Sequence, residues 1–90
     1  MYAKQTRVMN STGLHARPAS EFVQEAKKYE AKISIRNLAE GSEAVNAKSI
    51  VRLLAEGISQ GTEVEIAADG PDEQQAVDSL VALMDTGFGE

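Results

Sequence analysis

Apolar and polar residues change their rhythm repeatedly along this chain, and each change marks the boundary of an element. From Tyr2 to Met9 the two kinds alternate weakly, which predicts an opening strand. Asn10-Ser11-Thr12-Gly13 is a run of turn-forming residues that ends it. Ala16, Ala19, Phe22, Val23, Ala26 and Tyr29 then recur at helical spacing, the stripe of an amphipathic helix. Its far side carries Ser20, Glu21, Gln24, Glu25, Lys27 and Lys28, a solvated surface.

Strict alternation returns in Lys32-Ile33-Ser34-Ile35-Arg36, a half-buried strand. Asn37 to Ser42 reads as a hairpin connection and Glu43 to Ala47 as the returning strand. Ile50, Leu53 and Leu54 predict one short helix, stopped by Gly57. Thr62 to Ala67 alternates as the last strand, and Asp69-Gly70-Pro71 breaks it. In the final helix Asp72 is the expected N-cap, with Gln75 in the capping-box position. Ala76, Val77, Leu80, Val81 and Met84 form its apolar stripe, and Gly87 suits its C-terminal end. The order β-α-β-β-α-β-α, with one apolar face on each element, predicts a two-layer α+β sandwich.

Composition narrows this picture. Ninety residues, 42% of them hydrophobic, are enough for one modest core, so a single domain over residues 1–90 is expected. With no cysteine there is no disulfide framework and no thiolate metal site. The opening MYAKQTRVMN has no apolar run suited to a signal peptide, and no later stretch approaches a membrane span. A cytoplasmic location without membrane insertion is therefore expected. The net charge of −5 argues against attraction to nucleic acid, and two Phe, two Tyr and no Trp make a poor platform for stacking bases. Protein partners fit better.

The chemistry concentrates in Thr12-Gly13-Leu14-His15-Ala16-Arg17-Pro18. Gly13 permits a tight turn, and Pro18 lies in the first turn of the predicted helix, where a missing N–H costs nothing. His15, the single histidine, then stands at or next to the N-cap, beside the orphan amides of Ala16 and Arg17. Such a helix entrance favours anions. A phosphoryl group on the imidazole would carry about −1.5 to −2 charges there, within reach of the permanently charged fork of Arg17. An imidazole nitrogen is a competent nucleophile, so the cluster reads as a reversible phosphohistidine. A surface or capping histidine is the plain alternative. A metal site lacks a ligand set, and a hydrolytic triad lacks partners for His15.

Gly13-Leu14-His15-Ala16-Arg17-Pro18-Ala19 resembles the active-site signature of the HPr family, the histidine-containing phosphocarriers of the bacterial sugar phosphotransferase system. Asn46-Ala47-Lys48-Ser49-Ile50 resembles the regulatory-serine segment of that family, and the likeness continues through Gly57-Ile58, Gly61-Thr62 and the final helix. It implies an open-faced β-sandwich, a four-stranded antiparallel sheet covered on one face by three helices. It also implies a stoichiometric carrier rather than an enzyme, working without a cofactor. Enzyme I would load His15 at Nδ1, and an enzyme IIA domain would receive the group from it. Arg17, the amide of Ala16 and, in a minor role, Thr12 would hold the phosphoryl oxygens.

Ser49 is predicted to be the N-cap of the short helix, and the resemblance gives it a second role as substrate of an ATP-dependent HPr kinase/phosphorylase. Phosphate there would leave the fold intact while repelling acidic partners. Ile50, Val51 and Leu54 exceed what one buried stripe needs, so part of this group is expected at the surface as a docking patch, with Arg17 and Arg52 as its basic rim. The alternative is that all three are core.

The connection from Asn37 to Val45 is longer than in many relatives, and Arg52 stands where some carry Gly, which weakens the expectation of a transcriptional-regulator partner. The ending Met84 to Glu90 also resembles the nitrogen-regulatory branch, whereas Lys48-Ser49-Ile50 points to the sugar branch. A monomer serving sugar uptake is the expectation. A regulatory module, of the nitrogen branch or acting as a co-repressor, is the alternative.

Overall fold

The computed structural model describes residues 1–41 and 43–89, so Ser42 and Glu90 lie outside the described residues. The elements are β1 (Tyr2–Arg7), α1 (Ala16–Ala26), β2 (Lys32–Asn37), β3 (Val45–Asn46), α2 (Ile50–Ala55), β4 (Glu63–Asp69) and α3 (Glu73–Asp85), followed by a 3₁₀ turn at Gly87–Gly89. The strands form one antiparallel sheet in the order β1-β4-β2-β3.

The predicted period-two strands sort their side chains as alternation requires. In β4, Val64, Ile66 and Ala68 are buried while Glu63 and Asp69 are exposed. In β2, Ile33 and Ile35 are buried and Lys32 is exposed. The buried residues meet Ala19, Phe22, Val23 and Ala26 of α1, Leu53 of α2, and Ala76, Val77, Leu80 and Met84 of α3 in one apolar core. The other face of the sheet is left open, which gives the open-faced α+β sandwich.

Several boundaries move. β3 is only Val45–Asn46, shorter than the strand expected from Glu43 to Ala47. Its register with β2 is Ser34–Asn46 and Ile35–Val45, and Glu43 and Ala44 are both exposed, so neither is buried to hold a longer edge. β1 stops at Arg7, although Val8 still donates to the Thr62 carbonyl at 3.0 Å. α1 ends at Ala26, and Tyr29 packs against the core from the turn that follows.

The capping box at α3 is not formed. Asp72 is the N-cap but makes no side-chain cap bond. Its carboxylate instead accepts the backbone N–H groups of Glu30 and Ala31, both at 2.9 Å, tying the start of α3 to the turn before β2. Neighbouring Gly70 lies so close to that turn that a Cβ would come within 2.6 Å of the Ala31 Cα. The Glu30 N–H, reinforced by that of Ala31, holds the Asp72 carboxyl below the usual aspartate range. Glu25 is also held low, chiefly by the Ser79 hydroxyl and then by Lys28. No helix among the described residues is long and apolar enough to cross a membrane.

Candidate functional site

The entrance to α1 is built by anchoring one residue and releasing the next. Leu14 is fully buried and its N–H donates to the Ile58 carbonyl at 2.9 Å. His15 follows it in extended conformation (φ −132°, ψ 161°), so the chain turns that side chain outward, where it is exposed. His15 is the N-cap of α1, as its position before the apolar stripe predicts, and makes no side-chain cap bond. The ring is therefore accessible rather than spent on its own helix.

Gly13 makes the anchoring possible. Its φ is +69°, and a Cβ there would lie 2.6 Å from the Ile58 carbonyl oxygen and 2.7 Å from the Ser59 Cα. Only glycine tolerates both the left-handed backbone and that approach. Buried Asn10 closes the turn, donating through Nδ2 to the Gly13 carbonyl at 2.7 Å and to Thr12 Oγ1 at 3.1 Å. The Gln60 side chain reaches the Met9 carbonyl at 3.2 Å, and Gly61 N–H reaches that of Val8 at 2.8 Å. The histidine loop is thus seated on the segment that follows α2.

Ala16 departs from the regular helical first turn expected of it. It has φ +52°, the left-handed region, in a residue that carries a Cβ. Such a backbone costs about 1–2 kcal/mol, held in place by the buried residues on either side, Leu14 and Pro18. Ala16 and Arg17 remain the first residues of α1, whose amides have no carbonyl one turn earlier to bond. No acidic residue occupies that first turn. The positive end of the helix is left without a carboxylate.

Arg17 is exposed, but its guanidinium is engaged: Nη1 lies 2.7 Å from Oε1 of Glu21, one turn along α1. The helical pattern puts Glu21 only on the solvated face, although its i,i+4 spacing from Arg17 signals the pair. Asn10 was legible only as a turn residue. Met9 is 56% exposed at the start of the loop and carried no mark of that in the pattern.

α2 packs against α1 and divides its side chains sharply. Leu53 is fully buried, whereas Ile50, Val51 and Leu54 are 37%, 73% and 42% exposed and Arg52 is exposed beside them. Ser49 caps the helix, its Oγ accepting from the Arg52 N–H at 3.3 Å. Lys48 donates to the Tyr29 carbonyl at 2.7 Å, fixing the segment before the cap. A hollow of about 470 Å³ lies elsewhere, lined by Met1, Ser34, Asn46, Ala67 and neighbours, and His15 takes no part in it. The histidine lies on an open surface, which suits a protein partner better than an enclosed small molecule.

The family profile described as "PTS HPr component phosphorylation site" matches residues 2–86. The phosphocarrier protein HPr of Haemophilus influenzae is 45% identical over 86 residues, covering 96% of this chain and 98% of that protein. The HPr-like protein Crh of Halalkalibacterium halodurans is 40% identical over 85 residues, covering 94% and 98%. Among solved structures, HPr-C-His from Thermoanaerobacter tengcongensis superposes with a TM-score of 0.94 at 42% identity, covering all of this chain and 98% of that one.

Proposed function

The chain belongs to the HPr family of phosphocarrier proteins of the phosphotransferase system, and from that premise we propose that His15 carries the phosphoryl group between enzyme I and an enzyme IIA domain in the cytoplasm during sugar uptake. The protein is a carrier, not an enzyme. The observation that carries the assignment to His15 is an exposed imidazole that makes no cap bond, at the N-cap of a helix whose first turn holds no acid.

In this reading the lone pair of His15 Nδ1 attacks phosphorus as the N–P bond of the donor phosphohistidine breaks. The electrons of that bond return to the donor ring. Each imidazole keeps the hydrogen on its other nitrogen, so no proton is gained or lost. The same displacement, run toward the IIA domain, unloads the carrier. The amides of Ala16 and Arg17, the Arg17 guanidinium and Thr12 hold the phosphoryl oxygens. Ile50, Val51 and Leu54, with Arg52, form the docking patch, an exposed apolar group with a basic rim suited to acidic partner surfaces.

Incubation with phosphoenolpyruvate and enzyme I, followed by mass spectrometry, tests the assignment. An acid-labile phosphoryl group mapped to His15 is expected, whereas native protein left unmodified by active enzyme I overturns it.

Ser49 supports a second, regulatory reading. Its hydroxyl is only partly buried and its one cap bond is long, so phosphate could be accommodated at that position. Acid-stable phosphate on Ser49 after treatment with an ATP-dependent HPr kinase, together with slower loading of His15, is the expected result. Loading at an unchanged rate would remove the regulatory role.

A further inference from the structure

Arg17 is held before any phosphoryl group arrives. Its Nη1 sits 2.7 Å from Glu21 Oε1, and among the described residues Glu21 has no other hydrogen-bond or ion-pair partner. The next acid along α1, Glu25, is committed to Lys28, Tyr29 and Ser79. Glu21 is thus a carboxylate dedicated to the one cation of the helix entrance.

We propose that Glu21 is a positioning residue for phosphoryl transfer, a carboxylate that competes with the phosphohistidine for Arg17 and so keeps the loaded carrier easy to discharge. This rests on the assignment of the phosphoryl group to His15. A phosphoryl group of about −1.5 to −2 charges draws the guanidinium more strongly than a single carboxylate does, so Arg17 is redirected on loading. Glu21 then loses its partner, and its charge, one turn further into the helix, repels the new anion. Both effects stabilise the unloaded form relative to the loaded one. The ion pair is 63% and 36% exposed at its two side chains, so water screens it and its influence is that of a trim rather than a lock.

The test is the exchange equilibrium between phosphorylated enzyme I and this carrier, measured for the native chain, Glu21→Gln, Arg17→Gln and the double variant. Glu21→Gln should shift the equilibrium toward the loaded carrier roughly two- to five-fold, and added salt should shrink the shift. With Arg17 already replaced, the same change should have a clearly smaller effect. A purely structural role for Glu21 would alter thermal stability without this dependence on Arg17. No shift, or an equal shift in both backgrounds, overturns the proposal while leaving the carrier reading intact. A native chain that enzyme I cannot load overturns both.

Discussion

Helices α1 and α3 begin in opposite ways. At α3, Asp72 spends its carboxylate on the Glu30 and Ala31 amides, and Glu73 follows as a first-turn acid, accepting from Gly70 N–H and pairing with the chain's amino terminus. Every charge there is answered within the protein. At α1 the N-cap is an exposed histidine without a cap bond, the first turn has no acid, and the backbone at Ala16 is left-handed. The helix dipole is compensated at α3 and open at α1. The first-turn negative charge that α3 carries is missing from α1.

The largest effect belongs to His15→Ala: phosphorylation by enzyme I should be abolished, with the urea unfolding midpoint close to that of the native chain, because the side chain is exposed and makes no cap bond. Residual loading at another residue would remove α1 from its role. Gly13→Ala comes next and acts on the fold. Left-handed backbone and collision with Ile58 and Ser59 should cost about 2–4 kcal/mol in urea denaturation.

At α3 the expected effect is one of pH. The Asp72 carboxyl titrates lower in the folded protein than in the unfolded chain, so the unfolded state binds a proton first on acidification. Its contribution is fully present above the ordinary aspartate value of about 3.9 and is lost as the pH falls through the depressed folded value. Asp72→Asn should lower the urea midpoint at about pH 7 and narrow its difference from the native chain near pH 2. An unchanged gap between the two proteins would show that Asp72 does not carry that dependence. The smallest effect is at Ala16→Gly, which should stabilise the protein by about 0.5–1 kcal/mol by releasing the left-handed alanine, read by thermal unfolding.

The same contrast separates what the sequence exposes from what it hides. Periodicity located α1, β2, β4 and α3 most directly, because Phe22, Ile33, Ile35, Val64, Ile66 and Leu80 mark their buried faces. The position of His15 at the mouth of α1 was equally open to reading, through Gly13 before it and Pro18 after it. Asp72 misled because a capping pattern is local, whereas its real partners lie about forty residues earlier in the chain, at a turn that only the fold brings near. Ala16 was hidden because alanine carries no mark of positive φ. Met9 looks like a core residue by type, and it is exposed because the neighbouring Val8 takes the buried face.

The most direct measurement is a comparison of amide NMR spectra of the native chain before and after loading by enzyme I. Phosphoryl oxygens seated at the α1 entrance should displace the Ala16 and Arg17 N–H resonances strongly and leave those of Glu30 and Ala31, already bonded to Asp72, in place. Loading that leaves the Ala16 and Arg17 amides unmoved would contradict the account.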